Sequence, residues 1–220
     1  MKIDILTLFP EMFTGFINSS IIKRAINKDL VQINIINFRD YSPLPNKQVD
    51  DTPYGGGGGM VLRCEPIFLA VEELKKKDTK VILLTPDGIT YNQTIAEELT
   101  SLTHIILICG HYEGFDERIR QLADKEISIG DYILTGGEIP AQVLTDSIVR
   151  LIPGVINKDS LANESFNDNL LDYPAYTKPS EYKGLKVPEI LLNGNHKEIN
   201  EWRNNERIIK TEEKRPDLRK

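Results

Sequence analysis

The first half of the chain alternates short apolar runs with longer amphipathic segments. The apolar runs are KIDILTLF, VQINIINF, KVILLTP and HIILICG, and helical spacing of apolar residues occurs in SSIIKRAINK, EPIFLAVEELKKK and NQTIAEELTSL. Strands that alternate with helices are typical of βαβ units. Runs this rich in Ile, Leu and Val also fit parallel strands that are buried on both faces. The pattern therefore predicts an α/β fold with a mostly parallel sheet covered by helices.

Two features set the expected ends of these elements. Asp87 and Gly88 predict a turn, which would end the third strand near Thr85. Beyond the fourth strand the pattern is irregular, and the segment 127–140 combines glycines, a tyrosine and acidic residues as a loop does. A helix, AQVLTDSIVRLI, is predicted to follow this loop and to end before Pro153.

The C-terminal part of the chain changes in composition. Residues 157–169 are polar and rich in Asn, which is typical of an interdomain linker. The stretch that begins VPEILL has helical character, and Trp202 is expected in its core. The predicted organisation is an α/β domain over residues 1–156, a linker over 157–169 and a small helical domain over 170–220.

The charge distribution limits how the protein contacts nucleic acid. A net charge of −6 argues against a protein that coats nucleic acid indiscriminately. Residues 181–220 nevertheless carry ten Lys or Arg against eight Asp or Glu, so this end is locally basic. Its last basic residues are best placed to contact phosphates, with a solvated helix face as the alternative interpretation.

The cysteines and the apolar runs indicate a compartment. Cys64 and Cys109 lie far apart and lack a CxxC partner, so a reduced cytoplasmic protein is expected rather than a disulfide scaffold or zinc module. The apolar stretch at the N-terminus is too short for a signal peptide, and no run approaches the length of a membrane span. We therefore expect no membrane association.

Five glycines, Gly55 to Gly59, follow the segment VDDTPY and precede Met60. Glycine adopts positive φ without strain and lets a backbone approach a ligand closely, so such a loop can cradle a nucleobase or a phosphate. A flexible linker is the alternative, although Asp-Asp and Pro-Tyr are not linker composition. The segment is neither a P-loop, since no Gly-Lys-Ser or Gly-Lys-Thr follows, nor a Rossmann fingerprint, since a weak helix opening follows Met60.

Three further segments lie where open α/β sheets bind ligands, at the carboxyl ends of strands. They are LLTPDG at 83–88, CGHYEGFDER at 109–118 and SIGDYILTGGEIP at 128–140. Exposed main-chain amides and carbonyls in such loops suit an adenine ring, which is recognised by hydrogen bonds along its edge. Each segment alone fits ordinary turn chemistry, and only their joint occurrence in this order is specific.

Together these segments resemble the TrmD-type tRNA (guanine-N1)-methyltransferases of the SPOUT class. The resemblance extends over nearly the whole chain and includes the later SF…LLDYPAYTKP and LLNGNH segments. It implies a trefoil-knotted, mostly parallel sheet that binds S-adenosylmethionine, a small helical C-terminal domain that binds tRNA, and a homodimer. The implied activity is methylation of N1 of the guanosine at tRNA position 37. Periodicity does not show a knot, which general rules of chain topology make rare.

The resemblance implies two sets of binding residues. Those for S-adenosylmethionine are Leu83, Leu84, Thr85, Pro86, Gly110, Tyr112, Glu113, Ser128, Ile129, Gly130, Tyr132, Leu134, Gly136, Gly137 and Pro140. Those for the target guanosine and its 5′ neighbour are Tyr54, Gly55, Gly56, Gly57, Gly59 and Met60.

One of the expected catalytic residues differs from the residue that the family has at that position. Arg150 matches the family arginine that contacts the target base, although position alone fits a capping or surface arginine. The family has an Asp before the Ser-Phe of the linker, where this chain has Glu164, one methylene longer. Either Glu164 is the general base, or Asp168 takes that role, or both are solvated linker carboxylates.

The histidines do not predict a metal centre. His104, His111 and His196 lack metal-ligand spacing, and no Ser-His-Asp or Cys-His arrangement is suggested. His111, beside Gly110, is expected in a loop near the cofactor. The family also uses magnesium, for which the sequence shows no ligand set.

Two other functions compete with this interpretation. One is a SPOUT methyltransferase that acts on another RNA site, against which the glycine loop and the basic C-terminal domain count. The other is a nonenzymatic RNA-binding or dinucleotide-binding α/β protein. It would need no pocket for a methyl donor, so titration with S-adenosylmethionine separates it from an enzyme.

Overall fold

The computed structural model describes residues 1–157, 161 and 164–219 and divides the chain into two compact units, Met1–Ile156 and Asn157–Lys220. The described helices are α1 (Thr14–Ile17), α2 (Ser20–Asn27), α3 (Cys64–Leu74), α4 (Gln93–Thr100), α5 (Glu138–Val149) and α6 (His196–Lys214). The strands are β1 (Lys2–Thr7), β2 (Gln32–Asn37), β3 (Asp50–Asp51), β4 (Val61–Leu62), β5 (Thr79–Thr90), β6 (His104–Cys109), β7 (Lys125–Ser128), β8 (Glu181–Tyr182) and β9 (Leu185–Lys186). No described helix is both long enough and apolar enough to span a lipid bilayer.

The N-terminal unit is built on a five-stranded sheet with the order β2-β1-β6-β5-β7. All of its neighbouring strands pair in parallel, with Ile5 beside Leu107 and Leu83 beside Ile108. The predicted α/β fold with a parallel central sheet is confirmed. The carboxyl ends of β5, β6 and β7 therefore lie side by side at one edge of the sheet.

Both faces of this sheet are covered, because successive side chains of a strand point to opposite sides. Ile105 and Leu107 of β6 face a core shared with α2, α4 and α5. Ile106 and Ile108 face a second core shared with α3. Every residue of β6 is buried, and burial of each of its Ile and Leu side chains contributes about 1.5–3 kcal/mol.

A buried polar cluster joins the strands at the opposite end of the sheet. Asp4 Oδ2 lies 2.8 Å from His104 Nε2, and Thr79 Oγ1 lies 2.7 Å from His104 Nδ1. The second carboxylate oxygen of Asp4 accepts a 2.6 Å hydrogen bond from the Asn34 amide. These bonds satisfy buried groups on β1, β2, β5 and β6, which explains why polar residues are tolerated there.

Strand β5 extends further than the sequence predicts. The prediction of a turn at Asp87 and Gly88, with the strand ending near Thr85, is wrong, since β5 continues to Thr90. Its pairing with β7 shifts register through a bulge at this point. Gly88 permits the bulge, because an added Cβ would lie within 3.0 Å of the Ile127 nitrogen.

The predicted loop 127–140 contains a strand end and a helix start. Strand β7 was not predicted, because its four residues alternate too briefly to stand out. Helix α5 begins at Glu138, three residues before the expected start, and ends at Val149. Pro140 lies in its first turn, where an N–H has no intrahelical partner and its absence costs little.

The glycine loop is closed at its base. Strands β3 and β4 pair antiparallel, with Asp50 beside Leu62 and Asp51 beside Val61. Residues 52–60 therefore form a loop whose two ends are hydrogen-bonded together, and the linker interpretation does not fit.

In the C-terminal unit the long helix starts later than its helical character suggests. The chain turns at Gly194, which has a φ of +76°, and the Asn195 side chain caps α6 by accepting the Glu198 amide. Extended chain and the β8–β9 hairpin occupy much of the segment before it. One long helix, rather than a bundle, therefore organises the described part of this unit.

Helix α6 holds the extended segment that precedes the hairpin. Thr211 Oγ1 accepts a 2.9 Å hydrogen bond from the Leu171 amide, and Lys210 Nζ donates to the Asp172 carbonyl at 2.8 Å. Thr211 is fully buried, whereas Trp202 is only partly buried. Trp202 was expected in the core of this unit, but its side chain is partly accessible.

The bulge in β5 yields a stability prediction. Gly88→Ala should lower the free energy of unfolding by about 1–3 kcal/mol, because the new Cβ overlaps the backbone of β7. Gly15→Ala in α1 is the matched control, since no atom lies within 4 Å of its added Cβ. It should change stability by less than about 1 kcal/mol. Urea denaturation of both variants measures the difference, and equal midpoints would contradict the close approach.

Candidate active site

A cavity of about 130 Å³ opens at the carboxyl ends of β5, β6 and β7. Its walls are Leu84, Thr85, Pro86, Gly110, His111, Gly114, Phe115, Ile127, Ser128, Ile129, Gly130, Tyr132, Leu134, Thr135, Gly136, Gly137 and Pro140. The three segments that the sequence singles out at strand ends thus converge on one cavity, at the edge where α/β sheets bind ligands.

Most of the residues predicted to bind the cofactor line this cavity, and the exceptions are Leu83, Tyr112 and Glu113. Leu83 is fully buried in the core on the α3 side, because it alternates with Leu84 along the strand. Tyr112 is exposed in the loop after β6, with a left-handed φ of +59°.

The cavity is also lined by residues that were not among those predicted to bind the cofactor: Gly114, Phe115, Ile127 and Thr135. The Phe115 ring packs against Gly110, where an added Cβ would meet its Cζ at 2.7 Å. An apolar residue in a polar motif gives no sign of whether it faces a core or a cavity. The contact between Phe115 and Gly110 is seen only in the folded loop.

The start of α5 is pressed against the end of β6. The Gly137 amide donates a 2.8 Å hydrogen bond to the Gly110 carbonyl. An added Cβ at Gly137 would lie 2.7 Å from Cys109 Cα and 2.8 Å from the Gly110 nitrogen. Only glycine permits so close an approach. The contact places the N-terminal end of α5, which has a partial positive charge, at the edge of the cavity.

The loop after β7 is shaped by its own hydrogen bonds. Ser128 Oγ donates to the Gly130 carbonyl at 3.1 Å and accepts from the Gly130 amide at 3.2 Å. The Tyr132 hydroxyl donates to the Ile129 carbonyl at 3.1 Å. Gly130 has a φ of +150°, which disfavours other residues at this point. These internal hydrogen bonds fix the shape of the loop at the cavity.

A buried carboxylate lies beneath the cavity wall. Glu138, in the first turn of α5, accepts a 2.8 Å hydrogen bond from Thr7 Oγ1 and is 2% exposed. Burial, with a contribution from the nearby Glu138 charge, raises the pKa of the Cys109 thiol well above its ordinary value. Cys109 is therefore a small, inert packing residue here and not a nucleophile.

His111 brings an unpaired polar atom to the cavity. Its ring lies between Phe9, with centroids 4.8 Å apart, and Tyr112, edge-on at 4.9 Å. Its Nδ1 is buried and has no hydrogen-bond partner among the described residues. Buried polar groups are nearly always paired, so this atom is well suited to meet a polar ligand atom.

The glycine loop is joined by backbone hydrogen bonds to the loop after β6. The Glu113 amide donates to the Met60 carbonyl at 3.0 Å, and the Leu62 amide donates to the Gly114 carbonyl at 2.9 Å. An added Cβ at Gly59 would meet the Glu113 carboxylate oxygen at 2.6 Å. Glu113 thus contacts the predicted substrate loop rather than the cavity, and it couples the two predicted sites.

The tip of the glycine loop is open. Tyr54 is fully exposed, and Gly55, Gly56 and Gly57 all have positive φ values with open space or distant contacts around them. Of the predicted substrate residues, the structure brings Gly59 and Met60 to the loop after β6, and it leaves Tyr54 and these three glycines at an exposed tip.

Arg150 lies away from the cavity of its own chain. It follows the last residue of α5, and its amide donates to the Asp146 carbonyl at 3.1 Å. Gly137, at the cavity, is at the other end of this helix, about 20 Å away at 1.5 Å per residue. Within one chain the structure does not bring Arg150 to the residues predicted to bind the cofactor.

The two candidate bases lie in the C-terminal unit. Glu164 is partly buried, whereas Asp168 is exposed, with a left-handed φ of +54° in a short turn. Ser165 Oγ accepts a 3.0 Å hydrogen bond from the Asp172 amide, which folds this segment back on itself. The described part of the predicted linker is thus locally structured, and its residues 158–160, 162 and 163 lie outside the described residues.

The histidines are dispersed. His104 belongs to the buried cluster of β6, His111 lines the cavity and His196 begins α6. Across residues 1–157, 161 and 164–219, no three His, Cys, Asp or Glu side chains converge as metal ligands would.

Comparison with known proteins identifies similar sequences over almost the whole chain. A family model described as tRNA (Guanine-1)-methyltransferase TrmD matches residues 1–220. The chain is 59% identical over 218 residues to a protein of Malacoplasma penetrans, covering 99% of this chain and 96% of that protein. It is 58% identical over 221 residues to a Staphylococcus epidermidis protein, covering 99% and 90%. Both relatives carry the name tRNA (guanine-N(1)-)-methyltransferase.

Proposed function

The chain belongs to the tRNA (Guanine-1)-methyltransferase TrmD family, and on that premise we propose that it methylates N1 of the guanosine at tRNA position 37. The family implies S-adenosylmethionine as the methyl donor. The observation that best supports a donor site is the single cavity formed by the ends of β5, β6 and β7. The family and the names of the relatives also disfavour a nonenzymatic RNA-binding or dinucleotide-binding protein.

The cavity suits the adenosyl part of the donor. Leu84, Ile129 and Leu134 provide apolar walls for a flat ring. Main-chain groups of the three loops border the same space, where they can hydrogen-bond the edge of an adenine. The buried Nδ1 of His111, which has no partner among the described residues, would add a polar contact. Bound S-adenosylmethionine would supply a methyl group already activated on a sulfonium sulfur.

The residues of the chain would then have two tasks. The first is to hold N1 in line with the methyl carbon, and such alignment is worth about 7–11 kcal/mol of barrier. The second is to remove the N1 proton, which leaves the N1 electron pair to form the new bond to the methyl carbon, while the electron pair of the broken carbon–sulfur bond would stay on the donor's sulfur. Glu164 or Asp168 would accept that proton as general base, and the Arg150 guanidinium would stabilise negative charge on O6.

A homodimer would complete this site. Arg150 is about 20 Å along α5 from the cavity of its own chain, so it would act at the cavity of a second copy. An exposed apolar surface supports this: Ile139 and Val143 lie one turn apart on α5, and Ile133 is 81% exposed in the preceding loop. A second copy that covers this surface would bury its apolar groups and bring an Arg150 to each cavity.

Two further features belong to the proposal. The first is a trefoil knot in the N-terminal unit, which membership of the family implies. The second is that residues 170–220 are a small tRNA-binding domain, supported by the ten Lys or Arg against eight Asp or Glu over residues 181–220. The buried, unpaired Cys64 and Cys109 fit a reduced cytoplasm. Magnesium has no fitting cluster among the described residues, so no step is assigned to it.

The substrate is tested with tRNA transcripts that differ only at positions 36 and 37. With labelled S-adenosylmethionine, the protein should methylate transcripts with guanosine at 37, and guanosine at 36 should strongly favour the reaction. The reason is that the glycine loop, joined to the donor loop through Met60 and Glu113, would hold this pair of bases. Equal methylation of an adenosine-37 transcript would show that the target is wrong.

Paired carboxamide variants identify the base. If Glu164 is the base, Glu164→Gln should lower the single-turnover rate about 100-fold or more without changing donor affinity, because the amide cannot accept the proton. Glu164→Asp should retain much of the activity. If Asp168 is the base, Asp168→Asn becomes the severe change instead. Rates near wild type for both amides, measured across several pH values, would remove both carboxylates from the mechanism.

The dimer is tested on α5. Val143→Asp should shift the mass measured by analytical ultracentrifugation from about twice 25.0 kDa to 25.0 kDa, because a charge would be buried at the interface. Leu69→Asp on α3 is the matched control, since Leu69 is 42% exposed and Val143 is 41% exposed. A wild-type monomer, or equal effects of the two variants, would argue against this surface.

A further inference from the structure

The C-terminal unit contains a pocket that the methyl-transfer chemistry does not use. It has a volume of about 450 Å³ and lies between the extended segment 173–180 and helix α6. Three aromatic rings line it, those of Tyr173, Tyr176 and Trp202. Lys178 and Arg203 line it as well, so flat apolar surfaces and positive charges face the same space.

Arg203 is placed as a ligand-binding group would be. Its guanidinium carbon lies 4.7 Å from the centroid of the Tyr173 ring, which orients the cation by a cation–π contact. Its Nε is buried and has no hydrogen-bond partner among the described residues. A buried N–H donor that packs on an aromatic ring and lacks an acceptor points to an acceptor supplied by a ligand.

The described residues that line the space beside Arg203 include no Asp or Glu. A second hollow shares Tyr173 and Arg203 with the pocket, and its other walls are Asn200, Asn204 and Arg207. Neither hollow is lined by an Asp or Glu, although the whole chain has 33 acidic side chains against 27 basic ones. A locally cationic surface on an acidic protein favours an anionic ligand.

We propose that this pocket binds one unstacked nucleotide of RNA, with the base against the aromatic rings and the phosphate at Arg203 and Lys178. Single-stranded nucleic acid is bound in this way, by bases that stack on aromatic side chains and by cations that contact the backbone. The inference rests on the proposed tRNA substrate and adds an anchor for a nucleotide other than the target guanosine. It deepens that function by assigning a base-stacking site to the C-terminal unit.

Trp202 allows the pocket to be observed directly, because it is the only tryptophan of the chain. Its fluorescence in the full-length protein should be quenched by a single-stranded RNA hexamer, since a base that stacks near the indole alters its environment. A duplex RNA of the same length should quench much less, because its bases are already stacked. An acidic peptide with an aromatic residue is titrated in parallel.

Two charge-removing variants provide the matched comparison. Arg203→Gln should weaken hexamer binding about 5- to 100-fold, which is the range expected for loss of a base-stacking or phosphate contact. Lys183→Gln should leave it unchanged, although Lys183 Nζ also lies over a tyrosine ring, 5.3 Å from the Tyr182 centroid, on the exposed hairpin. With tRNA as substrate, Arg203→Gln should raise KM and leave kcat and donor affinity unchanged.

The outcomes separate this inference from the proposed function. Methylation of tRNA by the wild-type protein without quenching of Trp202 by RNA would overturn the pocket alone. Quenching by the acidic peptide but not by RNA, or equal losses in Arg203→Gln and Lys183→Gln, would also overturn it. Quenching by RNA in a protein that does not methylate tRNA would support the pocket and reject the enzymatic proposal. The titration of the wild-type protein tests the pocket without any variant. The inference can therefore be tested even if the Arg203→Gln protein misfolds.

Discussion

The close approach of Gly137 to the end of β6 determines the shape of the cavity. The 2.8 Å hydrogen bond from the Gly137 amide to the Gly110 carbonyl places the first turn of α5 directly against the sheet. That contact sets Glu138 in the interior, where Thr7 satisfies its carboxylate. It also holds the loop after β7 over the ends of β5 and β6. The cavity therefore depends on the close contact between the backbone of Gly137 and the backbone at the end of β6.

The same region joins two loops for which separate roles are predicted from the sequence. The loop after β6 borders the cavity on one side, and through Glu113 and Gly114 it is hydrogen-bonded to the glycine loop on the other. A ligand in the cavity and a base held at Met60 would therefore contact opposite sides of one short loop. In the proposed enzyme this arrangement would link donor binding to the positioning of the target guanosine.

Catalysis and tRNA binding would then be distributed over different parts of the protein. The donor cavity lies in the N-terminal unit, and the candidate bases and the aromatic pocket lie in the C-terminal unit. Arg150 is too far along α5 to serve the cavity of its own chain, and the apolar surface at Ile139 and Val143 offers a second copy a place to bind. A shared site would make activity depend on assembly as well as on folding.

The amino-acid sequence by itself determined the parallel α/β sheet, the family and the three loops of the cavity, because apolar periodicity and glycine-rich motifs are local signals. It did not show that β5 continues through Gly88 or that α5 begins at Glu138, since both depend on partners distant in the chain. It placed Leu83 with Leu84, and only the packed sheet separates their side chains onto opposite faces. The tertiary structure alone decided that Phe115 covers Gly110 and that the Arg203 Nε is buried without a hydrogen-bond partner among the described residues. Such features depend on which distant atoms come within a few ångströms, and no local pattern encodes that.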